Sequence, residues 1–118
     1  MNNRLRKHLL DAMQAARAII EFIGAADSAR YASDRLLRSA VERQLTILGE
    51  AARRALDEEP TLREQLPDLV YAVGLRNRLV HGYDTVDDEI VFDTAHADLP
   101  GLIRELEALL PETLPPAV

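Results

Sequence analysis

Leu5, Leu9, Ala12, Ala16, Ile19, Ile20 and Ile23 recur at three- and four-residue spacing, which lays one apolar stripe along a first helix. Gly24 to Ser28 (GAADS) reads as a break. A second, long helix is expected from about Ser33 to Asp57, its stripe formed by Leu37, Val41, Gln44, Leu45, Leu48, Ala52, Ala55 and Leu56. Pro60 ends it, because the residue before a proline avoids the helical region. Thr61 to Leu66 has room for one short turn. A third helix starts near Pro67, where a missing N–H is not needed. It runs as a buried helix through Leu69, Val70, Val73, Leu75, Leu79 and Val80, and Gly82 follows as a left-handed cap. Thr85 or Asp87 caps a fourth helix from about Asp88, with acids well placed for its dipole. Pro100-Gly101 either kinks that helix or starts a fifth through Leu102, Leu106, Leu109 and Leu110. The one strand-like stretch, Glu89 to Asp93 (EIVFD), keeps helical spacing with its neighbours. The expectation is an all-α antiparallel bundle of four or five helices. It forms a single domain over residues 1–110, with a flexible proline-rich tail at 111–118. Broad apolar faces on two long helices in a small chain also invite a homodimer.

Composition sharpens this picture. The chain has 118 residues, 47% hydrophobic but only 4% aromatic, so the core must be built from Leu, Ile, Val and Ala. There is no cysteine, which removes disulfide scaffolds, thiolate metal sites and cysteine nucleophiles together. No apolar run approaches the ~20 residues of a membrane span, and the amino terminus turns amphipathic before any signal-like stretch forms. A cytoplasmic protein is the default. The net charge is −6, spread unevenly. Residues 1–59 hold ten basic and nine acidic side chains, whereas residues 60–118 hold four and eleven. A general nucleic-acid binder carries a basic field. This chain could touch RNA only through a local site. The acidic half is either a solvated face or an attraction for a basic partner.

Reactive side chains are sparse. The histidines stand at 8, 81 and 96. No His-Glu-x-x-His, phosphate-cradling glycine loop or Gly-x-Ser-x-Gly elbow occurs, and no metal site or cofactor is expected. His8, beside Arg6 and Lys7, reads as solvent-facing, and His96 as a surface residue of the acidic helix. The segment Arg76-Asn77-Arg78-Leu79-Val80-His81-Gly82-Tyr83 is different. It gathers two guanidiniums, an amide, an imidazole and a phenol at a helix end. Asn77 and Arg78 lie one turn back from His81, while Arg76, five positions away, is displaced by roughly 140°. An arginine fork grips phosphate oxygens, and an imidazole of ordinary pKa ~6.5 moves protons near neutral pH. Together they suit cleavage of an RNA phosphodiester without metal. His81 would exchange the proton, Arg76 would stabilise the charged transition state, and Asn77 would orient the histidine or the phosphate. Tyr83 would stand at the rim. The same residues are also good C-terminal capping, with cations at the negative end of a helix.

The pattern Arg76, Asn77, His81, Tyr83 resembles the Arg-x4-His-x-Tyr signature of HepT-like toxins in the HEPN superfamily. Val41 to Ala52 (VERQLTILGEAA) resembles that family's long second helix with its Gly-Glu-Ala ending. Asp87 to Leu110 resembles its final helices with their Leu-Pro break. The resemblance implies a dimeric all-α bundle that places two motifs near a shared cleft. It also implies a metal-independent endoribonuclease toxin, with Arg76 and His81 in the catalytic roles and Asn77 as the polar residue that follows the arginine. The implied partner is an MntA-like nucleotidyltransferase antitoxin that attaches AMP to Tyr83. Arg78 is outside the strict signature, and its supporting role rests on spacing alone. Two other readings stand beside this one. The first is a non-catalytic helical module docked and AMPylated by such a partner; the second is a purely structural dimer in which Arg76 serves folding.

Overall fold

The computed structural model describes residues 1–81 and 87–110, so the expectations for Gly82, Tyr83, Thr85 and the tail fall outside the described residues. Helix α1 spans Asn3–Ile23 and is opened by Asn2, whose side-chain oxygen accepts from the Leu5 N–H at 2.7 Å. Gly24 closes it at φ +52°, a conformation that strains any L side chain, and its N–H reaches the Ile20 carbonyl at 2.9 Å. At the last residue of the expected break an unforeseen short helix begins, α2 (Ser28–Ser33). Its six residues bury a single side chain, Tyr31, so no periodicity announces it. Asp34 is the hinge to α3 (Arg35–Glu58): its N–H closes α2 on the Arg30 carbonyl, and its carboxylate accepts from the Leu37 N–H at 3.0 Å. Glu59 is non-helical ahead of Pro60, at φ −140° and ψ 88°, as expected.

The short turn is α4 (Leu62–Gln65), and Pro67 opens α5 (Pro67–His81). Asp87 caps α6 (Asp88–Ala97), accepting from the Glu89 N–H at 2.7 Å. Pro100 does not kink that helix. The Asp98 N–H closes α6 on the Thr94 carbonyl, and a separate α7 (Leu99–Leu109) begins with the proline in its first turn. Among the described residues there are thus five helices of ten residues or more and two short ones, all α.

α3 is the central helix, packed on α1 along one side and on α5 along another. α1 and α3 run antiparallel, since Arg4 at the start of α1 pairs with Glu58 at the end of α3 at 3.2 Å. The core is aliphatic. Leu9, Met13, Ile19, Val41, Leu48, Leu69, Leu102 and Leu106 are essentially sealed, and Tyr31 is the one aromatic among them. Sealing each large side chain contributes about 1.5–3 kcal/mol. α5 departs from expectation. Leu69, Ala72 and Leu75 face the core, but Val70, Tyr71 and Val80 are exposed. Sequence patterning counts an apolar side chain as core whether it meets its own chain or a partner.

At the junction of α2, α3 and α6, Arg38 pairs with Asp88 at 3.7 Å, and the buried Tyr31 hydroxyl has no hydrogen-bond partner. Glu42 lies in the same region. Burial pushes its carboxyl above the ordinary value, Asp88 adds to this, and Arg38 opposes it. Folding therefore disfavours the ionised form. This group's contribution worsens as pH rises through its raised folded value and is relieved below it. Glu42→Gln is expected to raise the melting temperature at pH 7, by an amount that shrinks as pH falls into the carboxylate range. An unchanged melting temperature at pH 7 contradicts this.

Candidate active site

The site begins at a helix crossing. A β-carbon added to Gly49 of α3 would lie 2.1 Å from the Arg76 Cβ and 2.9 Å from the Ala72 carbonyl oxygen of α5. Only glycine permits this approach, which brings the two backbones together and sets Arg76 beside the next residue of α3, Glu50. The Arg76 Nη2 lies 3.1 Å from the Glu50 carboxylate, and its Nη1 donates to the Asn77 Oδ1 at 3.0 Å. Its Nε is buried without a partner. An unpaired buried donor costs about 1–3 kcal/mol. The arginine side chain keeps 23% of its surface accessible.

Asn77 bridges two sides of α5. Arg76 lies near the core-facing edge of α5, whereas Val70, Gly74, Asn77 and His81 follow each other at four-, three- and four-residue steps along its outer face. The Asn77 amide links the two sides. His81 is the last residue of α5 and is exposed, and so is Arg78, about 60° round the helix from it. Arg76 and Asn77 are thus joined directly, and His81 and Arg78 share the accessible end of the same helix. Tyr83 lies outside the described residues.

Glu50 is the residue that the sequence reading leaves without a role. The Gly49-Glu50 pair sets a small residue next to a carboxylate within a long helix, and nothing in it points to Arg76. The carboxylate faces three guanidiniums: Arg53 at 3.1 Å, Arg54 at 3.5 Å and Arg76 at 3.1 Å. The hydrogen bond from Arg53 is the main cause that holds its carboxyl below the ordinary value, and the charges of Arg53, Arg76 and Arg54 act in the same direction. With Asp57 on Arg53 at 3.2 Å, the cluster has three guanidiniums against two carboxylates. On an acidic chain this is a local positive spot.

On the other side of Glu50, α1 and α3 enclose a groove of about 430 Å³ lined by His8, Asp11, Arg43, Glu50 and Arg54 over Ile47. His8 is therefore half-buried in a groove and not simply solvent-facing. His96 is exposed, with its ring 4.2 Å from that of Phe92. Among the described residues no group of three or more His, Asp or Glu is arranged to hold a metal ion, and no helix is long and apolar enough to cross a membrane.

Comparison with known proteins gives this site a context. The family profile described as "Ribonuclease HepT-like" matches residues 12–109. The chain is 31% identical over 105 residues to "Putative RNase MJ1380" of Methanocaldococcus jannaschii, covering 87% of this chain and 94% of that one. It is 28% identical over 109 residues to "Probable ribonuclease HepT" of Thermococcus cleftensis, covering 92% and 98%. No solved structure matches it significantly. The helical architecture and these relatives agree, and the chain belongs to the ribonuclease HepT-like family.

Proposed function

We propose that this protein is the toxin of a HepT/MntA-type toxin–antitoxin pair, a cytoplasmic endoribonuclease that cuts RNA without metal through Arg76 and His81. The observation that carries the reading is a half-sunken guanidinium gripped at two of its nitrogens, at the helix end that presents an exposed histidine. Arg76 neutralises charge on the scissile phosphate as the pentacoordinate transition state forms. The His81 imidazole takes the proton of the attacking 2′-hydroxyl or returns one to the leaving oxygen. Asn77 steadies the arginine, and Arg78 and Tyr83 contact substrate at the rim. Relatives named as ribonucleases support RNA as the substrate.

The site also accounts for a homodimer. Val70 and Val80 leave apolar surface on the accessible sides of α5, and nothing lies within 4 Å of the position a Gly74 side chain would take. A second copy seated there places two motifs near one cleft. Gly74→Ala is expected to stabilise the isolated chain by about 0.5–1 kcal/mol, the ordinary gain for an exposed helical glycine. Gly74→Arg keeps the fold and dissociates the dimer in sedimentation velocity. A dimer that survives Gly74→Arg, or a wild type that stays monomeric, contradicts this interface.

The −6 charge favours a second reading, a non-catalytic module that an MntA-like nucleotidyltransferase docks and AMPylates on Tyr83. One experiment separates the two. Purified protein is incubated with total RNA, before and after treatment with a small nucleotidyltransferase and ATP. The toxin reading expects RNA cleavage that ceases when Tyr83 gains the mass of one AMP. No cleavage at any concentration, with the modification still occurring, supports the module.

A further inference from the structure

We infer that Glu50 is a positioning residue for the ribonuclease reaction: it fixes the plane of the Arg76 guanidinium so that its outward N–H groups meet the scissile phosphate together. The inference rests on Arg76 acting in cleavage, as proposed above.

The argument starts from what holds Arg76. Its Cβ is fixed by the contact with Gly49, so the root of the side chain has no freedom. The far end is held from two helices, by an ion pair from Nη2 to Glu50 of α3 at 3.1 Å and by a hydrogen bond from Nη1 to Asn77 of α5 at 3.0 Å. An ion pair at one terminal nitrogen and a hydrogen bond at the other restrain a planar group at two points, and a single contact would leave it free to swing. Among the described residues only one Arg76 N–H, on Nη1, is donated within the protein, so N–H groups on both terminal nitrogens are left for a bidentate grip on two oxygens of one phosphate.

A carboxylate beside a phosphate-binding arginine would normally weaken the attraction it exerts. Here that cost is offset. Arg53 and Arg54 share the same Glu50 carboxylate, and the five charged groups of the cluster keep an excess of one positive charge. The site keeps its pull on an anion and gains orientation. Displacement of a catalytic group by ~1 Å costs on the order of 100-fold in rate, so the benefit of holding the fork falls on the chemical step more than on binding.

The test compares Glu50→Gln, Glu50→Asp and Arg76→Ala with wild type, each checked for helicity and melting temperature, in single-turnover cleavage of a short RNA. Glu50→Gln keeps the size of the side chain and removes the charge. It is expected to lower kcat roughly 10- to 100-fold with KM within about threefold, and Glu50→Asp, which keeps the carboxylate on a shorter arm, recovers part of that loss. The Nη–H signals of Arg76 in ¹⁵N-resolved spectra are expected to be sharp and slowly exchanging in wild type and averaged in Glu50→Gln, a change that loss of general stability does not produce. If Arg76→Ala is inactive while Glu50→Gln cleaves at the wild-type kcat, or if the Arg76 signals are the same in both proteins, Glu50 has no positioning role. If Glu50→Gln fails to fold, Glu50→Asp carries the decision: full wild-type kcat with averaged Arg76 signals overturns the inference. Cleavage at full rate by Arg76→Ala, or none by wild type, overturns the underlying reading together with it.

Discussion

Gly49→Ala lowers the melting temperature by roughly 8–15 °C, corresponding to about 2–3 kcal/mol for a domain of this size. The direction is the unusual part. Replacing a mid-helix glycine by alanine ordinarily stabilises a helix by about 0.5–1 kcal/mol, and at Gly74, where the space is open, that gain is expected. At Gly49 the added carbon would stand 2.1 Å from one carbon of Arg76 and 2.9 Å from a backbone oxygen, and a backbone cannot yield as a flexible side-chain tip can. α5 must therefore move away from α3, and overpacking against a backbone stands at or above the upper end of the usual cost of about 1–3 kcal/mol, so that a net loss remains after the helix gain is subtracted. The same movement withdraws Arg76 from Glu50, so RNA cleavage should fall together with stability. Thermal melts of the two alanine variants side by side provide the check. A Gly49→Ala protein as stable as Gly74→Ala contradicts the crossing.

Arg76→Ala and His81→Ala are each expected to reduce RNA cleavage by about 100-fold or more and to leave the fold in place. General acid–base catalysis by one imidazole contributes typically 10²–10⁴-fold, and a donor aimed at developing charge contributes about 10²–10³-fold. Stability changes little because His81 is exposed at the helix end, and Glu50 keeps Arg53 and Arg54 when Arg76 is removed. Arg76→Lys does not restore the rate, since a single ammonium cannot satisfy Glu50 and Asn77 while gripping two phosphate oxygens. Time courses of RNA cleavage paired with circular dichroism decide the matter. Both alanine variants cleaving at the wild-type rate would show that the site is elsewhere.

What could be read from the sequence was local. The stripe of α1, the stop before Pro60, the start at Pro67 and the cap at Asp87 depend on residues within a turn or two of each other, and each stands where the pattern put it. α2 escaped because its anchoring residue, Tyr31, has no apolar companions at helical spacing. Val70 and Val80 read as core but are exposed, because residue type does not say what a side chain packs against. Within the site, the 140° offset of Arg76 from His81 follows from helix geometry alone, and the Arg76–Asn77 hydrogen bond was not legible. Glu50 could not be found in this way. It lies 26 positions before Arg76 on another helix, and only the packing of α3 against α5 across Gly49 brings the two together.

The most direct measurement is the cleavage of one defined RNA oligonucleotide by the purified wild-type protein in excess EDTA, run beside the same oligonucleotide with a 2′-deoxyribose at the cut position. An imidazole and a guanidinium acting through the 2′-hydroxyl predict that the chelator leaves the rate unchanged and that the deoxy substitution abolishes the cut. Cleavage that stops in EDTA and returns with added magnesium, or that ignores the missing hydroxyl, would contradict this chemistry.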